Sequence, residues 1–173
     1  MTSENDLNRL RQALLKNAIV LAPTHKSYVD FCLISYLFAQ KGLPLPYIAG
    51  GENMDIFPLN FIFRNSGAFF IRREVSVDHL YFAVLMAFQR FLLRTGRLQE
   101  FFIEGARSRD GRVMPAKYGY LTLLLENEAQ NLHQNRPQPR PLAILPISIS
   151  YERLLEEGAF LSELKGKRKK KET

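Results

Sequence analysis

His25 and Asp30 are residues whose types and spacing could do chemistry. They stand five apart in the string T-H-K-S-Y-V-D, which follows a wholly apolar run. An alcohol is a poor nucleophile until a base takes its proton, and a neutral imidazole is a common choice for that task. A carboxylate on the other ring nitrogen would hold one tautomer and stabilise the imidazolium. On one ideal helix, at about 100° per residue, the two side chains would sit about 140° apart and could not meet. They meet if His25 lies in a loop and Asp30 in the first turn of the next helix. A second reading needs no chemistry. Ser27 followed by Asp30 before an apolar run matches a helix capping box, with His25 a plain loop histidine. Spacing alone favours that simpler account.

A second cluster is cationic. The segment E-G-A-R-S-R-D-G-R, Glu104 to Arg112, holds three arginines in nine residues, with Gly105 and Gly111 allowing unusual backbone angles. Guanidinium forks match phosphate oxygens, and a glycine-containing turn lets backbone N–H groups assist. The bland alternative is a surface turn whose arginines pair with Glu104, Asp110 and solvent. Arg72 and Arg73 likewise read either as anion ligands or as a charge pair at a strand end. His79 and His133 lack a carboxylate at useful spacing and read as surface residues. Cys32, the single cysteine, lies in an apolar helix and is expected to pack there. No Cys or His spacing resembles a metal site.

These residues need elements to position them. Leu7, Leu10 and Leu14 repeat at helical spacing. Ala18 to Ala22 is a buried strand stopped by Pro23, and Asp30 to Gln40 an apolar helix ended by Gly42 and Pro44. Tyr47 to Ala49 reads as a second strand, Ile56 to Phe63 as a short helix, and Ala68 to Ile71 as a third strand. A helix from Asp78 follows from the spacing of Leu80, Val84, Ala87 and Phe91. Glu100 to Ile103 reads as a fourth strand, Tyr118 to Gln130 as a helix, Asn135 to Pro141 as a proline-rich loop and Ala143 to Ser150 as a fifth strand. A further helix is expected near Arg153.

Strands with no polar face, alternating with helices, mark an α/β fold with a mainly parallel central sheet flanked by helices. Ligands of such sheets bind beyond the carboxyl ends of the strands. The segments that follow the first, third and fourth strands bring His25, Asp30, Arg72, Arg73, Arg107 and Arg109 to that edge. Their convergence is the strongest signal in the residues themselves.

Composition sets limits. With 173 residues, 46% of them hydrophobic, the chain has one domain's worth of core. The net charge is +7, and six of the basic residues lie in the tail 165–173, leaving a core of 1–164 close to neutral. Such a tail is a solvated end, or it meets an anionic membrane or nucleic acid. Aromatics confined to apolar strands and helices count against a nucleic-acid module. The polar first residues show no signal peptide, and no apolar run approaches the roughly 20 residues of a spanning helix.

The motifs also carry a resemblance. H-K-S-Y-V-D (His25 to Asp30) resembles the HX4D motif of the glycerolipid acyltransferases. G-A-F-F-I-R-R (Gly67 to Arg73), F-I-E-G-A-R-S-R (Phe102 to Arg109) and I-L-P-I (Ile144 to Ile147) resemble that family's second, third and fourth motifs, in the same order. The similarity is greatest to the branch acting on glycerol 3-phosphate or dihydroxyacetone phosphate. The resemblance implies a transferase with His25 as general base, Asp30 as its orienter, and acceptor phosphate held by Arg72, Arg107 and Arg109. Glu104, Gly105 and Ser108 of the third motif join the implied substrate site, and Lys117 is a further candidate. It implies acyl-CoA or acyl-acyl carrier protein as donor, no cofactor and no metal, no nucleic acid partner, and association with the cytoplasmic face of a membrane. It also implies a catalytic-core fragment, since members of the branch are several times longer. Thr24 departs from the family's usual asparagine, and Ala106 from its glycine or threonine. The oxyanion donors are expected among the backbone N–H groups of the Ser27–Asp30 turn.

Overall fold

The computed structural model describes residues 4–27, 29–54, 59–72, 78–108, 110–135 and 139–154, with the single positions 158, 161 and 165. Arg73, Arg109 and nearly all of the basic tail lie outside the described residues, as do Ile56 to Pro58 of the expected short helix and most of the helix expected near Arg153.

The first strand, β1 (Ala18–Pro23), is buried along its whole length. That fits a run of apolar residues with no polar face, which only a central strand can accommodate. It pairs in parallel with β4 (Gln99–Phe101) on one side and β5 (Leu142–Ile147) on the other. Beyond β4 come β2 (Tyr47–Gly51) and then β3 (Ala68–Ile71), also parallel. The sheet order is therefore β3-β2-β4-β1-β5, and the α/β expectation holds. β5 differs from a fully buried strand: its centre, including Ile144 and Leu145, is exposed. It is an edge strand of this sheet, where Pro146 is tolerated because an edge does not need every N–H.

Helices cover both faces. Ile19 and Leu21 of β1 meet Leu7 of α1 (Glu4–Lys16) with Ile34 and Phe38 of α2 (Asp30–Gln40). Ala18, Val20 and Ala22 face the other way, onto Leu93 of α4 (His79–Arg94) and Leu124 of α5 (Gly119–His133). Side chains of adjacent strand residues alternate between faces, so one five-residue run feeds both cores. The short helix α3 (Leu59–Asn65) lies between β2 and β3 and ends two residues later than its spacing indicated. Asp78 caps α4 by accepting the Tyr81 N–H at 3.0 Å.

The fourth strand departs from its expected limits. Pairing ends at Phe101 and begins at Gln99, so two polar side chains, Gln99 and Glu100, enter the middle of the sheet fully buried. Glu100 is aligned with Leu21 and so faces α2. Burial, and then the Asp30 charge, push its carboxyl up to about 8, so it is protonated at neutral pH.

Candidate active site

All five strands are parallel, so their carboxyl ends share one edge, where the loops after β1, β4 and β5 come together. The β1–α2 loop carries His25, whose Nδ1 lies 2.9 Å from Oδ2 of Asp30 at the first position of α2. This is the loop-to-helix arrangement that the spacing required. In the neutral ring Nδ1–H donates to the carboxylate, which leaves the lone pair on Nε2. The His25 side chain is 17% exposed and Asp30 not at all, so the imidazole is accessible while its carboxylate partner is sealed.

The capping reading is also partly realised. Asp30 Oδ2 accepts the backbone N–H groups of Lys26 at 2.6 Å and Ser27 at 2.9 Å, and Ser27 Oγ accepts that of Val29. The N-cap of α2, Val29, has no side-chain cap, so this carboxylate closes the loop before the helix and holds the imidazole. Burial raises the pKa of Asp30, but hydrogen bonds from His25, Tyr151, Ser27 and Lys26 outweigh it and hold the carboxyl below its usual range. The same bonds bear on the expectation for the oxyanion donors, of which the Tyr28 N–H lies outside the described residues. The N–H groups of Lys26, Ser27 and Val29 are committed to side chains, and that of Asp30 to the Ser27 carbonyl.

The β4–α5 loop grips His25 from both sides. Its N–H donates to Glu104 Oε1 at 3.0 Å, and its carbonyl accepts the Ser108 N–H at 2.7 Å. Glu104 Oε2 accepts the Met114 N–H, so both oxygens of this buried carboxylate are engaged with backbone. Glu104 and buried Ser108 are placed to shape the loop. Arg107, half-buried, lies between these two residues in the loop. The Phe102 ring packs on His25 at 4.2 Å between centroids. Gly105 has φ +62°, and a Cβ there would stand 2.7 Å from Lys117 Cδ, so the exposed Lys117 side chain crosses over this glycine.

Arg72 is not beside the dyad. It follows β3, which β2 and β4 separate from β1; three strand spacings amount to roughly 14 Å. Its guanidinium pairs with Asp78 at 3.1 Å and lies over the Tyr81 ring. The strand-end charge pair therefore exists, although its partner comes from the α4 cap.

Two participants escaped the sequence. Tyr151, just after β5, donates its hydroxyl to Asp30 Oδ1. The strand-end rule, applied to the fifth strand as it was to the others, would have found it. Thr24 also gains a role: its hydroxyl accepts the Ile149 N–H at 3.0 Å, stitching the ends of β1 and β5 together. Cys32 is exposed, contrary to the packing expectation. Asp30, Ile34 and Phe38 form the inward stripe of α2, and residue 32 is rotated about 200° from Asp30. Partial desolvation and the Glu100 carboxyl push its thiol up, away from a reactive thiolate. His79 and His133 are exposed, as expected.

A loop histidine oriented by a buried aspartate, clasped by an arginine-bearing loop, fits the motif order read from the sequence. The family model described as "Acyltransferase" matches residues 3–150. The chain belongs to the acyltransferase family. Among its curated relatives, the glycerol-3-phosphate acyltransferase of Aeromonas hydrophila is 38% identical over 172 residues, which is 99% of this chain and 21% of that protein. The enzymes of the same name from Haemophilus influenzae and Pseudomonas aeruginosa are 39% and 38% identical, over 95% and 98% of this chain and 20% of each relative. The acyltransferase chain thus spans about a fifth of the length of these relatives.

Proposed function

We propose that this acyltransferase moves a fatty-acyl group from a thioester, acyl-CoA or acyl-acyl carrier protein, onto the hydroxyl of glycerol 3-phosphate. His25 Nε2 takes the hydroxyl proton as the oxygen attacks the thioester carbonyl. The tetrahedral intermediate collapses, the C–S bond breaks, and the thiolate leaves and takes up a proton. No acyl-enzyme forms. Asp30 orients the imidazole and stabilises its cation, while Arg107 and Arg109, with Arg72 more distant, hold the acceptor phosphate. The observation that supports this reading is the His25–Asp30 contact at 2.9 Å, with the His25 backbone bonded to Glu104 and Ser108 on either side of Arg107 in the sequence. Dihydroxyacetone phosphate offers the same phosphate and an equivalent hydroxyl. The test is radiolabelled acyl transfer with glycerol 3-phosphate, dihydroxyacetone phosphate and unphosphorylated glycerol in parallel, on the chain and on His25→Ala. Transfer to glycerol as fast as to glycerol 3-phosphate would defeat the phosphate site.

The second part of the proposal is peripheral membrane association, with no nucleic acid partner. Among the described residues no helix is long and apolar enough to cross a membrane. The outer face of α4 nevertheless presents Leu80, Val84 and Phe91, each more than half exposed and within about 40° of one another around the axis. Such a stripe, with the basic tail, suits the surface of an anionic bilayer. Sedimentation with vesicles should show binding that rises with anionic lipid and falls with salt. Equal binding to neutral vesicles at high salt would rule out the electrostatic part.

A further inference from the structure

Asp30 is wholly buried, and its two oxygens are used unequally. Oδ2 meets the His25 ring and two backbone N–H groups, whereas Oδ1 takes the hydroxyl of Tyr151, which arrives from beyond β5 and 121 residues further along the chain. Solvent does not reach a fully buried oxygen, so water is poorly placed to replace a lost hydroxyl. Among the described residues, the groups that move the Asp30 carboxyl include no lysine or arginine side chain. Glu100 of β4, whose carboxyl is raised by burial and then by the Asp30 charge, is a buried acid whose two oxygens find no hydrogen bond among the described residues. His25 from the β1 loop and Tyr151 from the β5 end are left to share the carboxylate.

We propose that Tyr151 is a positioning residue of the dyad, one that sets the base strength of His25 by taking up part of the Asp30 charge. The inference rests on the reading of His25 as general base. A hydroxyl that donates to a carboxylate spreads its negative charge and weakens its pull on other protons. With the Tyr151 hydroxyl gone, Asp30 binds the imidazolium more strongly, and His25 keeps its proton to higher pH. The neutral imidazole needed to accept the alcohol proton then becomes scarce on the acid side. Ionisation of Glu100 would add negative charge in the same sense, but only around pH 8, beyond the acid limb at issue.

The test compares the unmodified chain with Tyr151→Phe in two measurements. One is kcat/KM for acyl transfer to glycerol 3-phosphate across acid and alkaline pH. The other is the NMR titration of the His25 ring in chain labelled with 15N-histidine, assigned with His25→Gln because His79 and His133 also contribute signals. The acid limb and the ring titration should move up together by about half to one pH unit. That is roughly a 3- to 10-fold loss on the acid side, with little loss on the alkaline side. Loss that is uniform with pH, with an unmoved His25 titration, would mean that Tyr151 only supports the fold and would overturn the proposal. Should Tyr151→Phe fail to fold, 3-fluorotyrosine at position 151 decides. Its more acidic hydroxyl is a stronger donor, so the limb and the titration should move down, and no movement overturns the proposal. His25→Gln separates the two claims. Full transfer by that variant defeats the base reading, whereas lost transfer together with an unmoved titration in Tyr151→Phe defeats this inference alone.

Discussion

The backbone N–H of His25 donates to Glu104 Oε1 at 3.0 Å, a contact between residues 79 apart in sequence. It ties the β1–α2 loop that carries His25 to the β4–α5 loop that carries Arg107. Removing Glu104 strands the N–H groups of His25 and Met114 together. Glu104→Ala should therefore destabilise the fold by about 1–3 kcal/mol for each group left unpaired, read from denaturant midpoints. Glu104→Gln keeps one carbonyl oxygen and should fall between the two. Both variants should lose transfer by more than their loss of folded protein explains, because the base and the anion site drift apart. Unchanged transfer by the folded fraction of Glu104→Ala would show that the clasp is not needed.

The dyad gives a second expectation. His25→Ala should lower acyl transfer about 10²–10⁴-fold, the range for losing a general base, without a large change in melting temperature. Asp30→Asn should cost less activity, since the imidazole remains while its orientation suffers, but more stability, since the same carboxylate closes the loop before α2. Full activity with a lower melting temperature in Asp30→Asn would leave capping as the residue's whole purpose.

Glu100 predicts a pH dependence of stability. Its carboxyl is raised from 4.5 to about 8 in the folded chain, so the folded state holds a proton that the unfolded state has released. Stability from this group is complete below about pH 4.5 and is lost as pH rises towards 8, by at most about 1.4 kcal/mol per pH unit. Glu100→Gln removes that slope. Its melting temperature relative to the unmodified chain should climb between pH 5 and pH 9, and parallel curves over that interval would show that the carboxyl is not held neutral.

Arg107 tests the acceptor. If it grips the phosphate, Arg107→Ala should raise the KM for glycerol 3-phosphate about 10- to 100-fold, the equivalent of one charge-assisted hydrogen bond of roughly 1.5–3 kcal/mol. Lysine should restore only part of this, because a point charge replaces a fork. A rise confined to the acyl-CoA KM would place coenzyme A phosphates there instead. A fall in melting temperature alone would make the arginine structural.

What the sequence determined by itself was the set of elements and the edge on which they would present their residues. The apolar run at Ala18 to Ala22 has no polar face, so it had to be an interior strand, and the helical spacing from Leu80 had to be a helix with one side buried. The motif strings fixed His25, Asp30 and the arginine loop as the residues worth following. Tertiary structure decided the rest, because each remaining fact depends on which strands are neighbours. The order β3-β2-β4-β1-β5 sets β4 against β1, so the Glu104–Ser108 loop clasps His25 while Arg72 is left three strands away, paired with Asp78. It also sets β5 on the other side of β1, which is how Tyr151 reaches Asp30. Glu100 sits in a strand that local pattern treats as apolar throughout, and only its position under α2 makes it a buried, protonated acid. Local periodicity reports which residues are buried, but contacts between residues 79 or 121 apart are set by strand order, which no local pattern encodes.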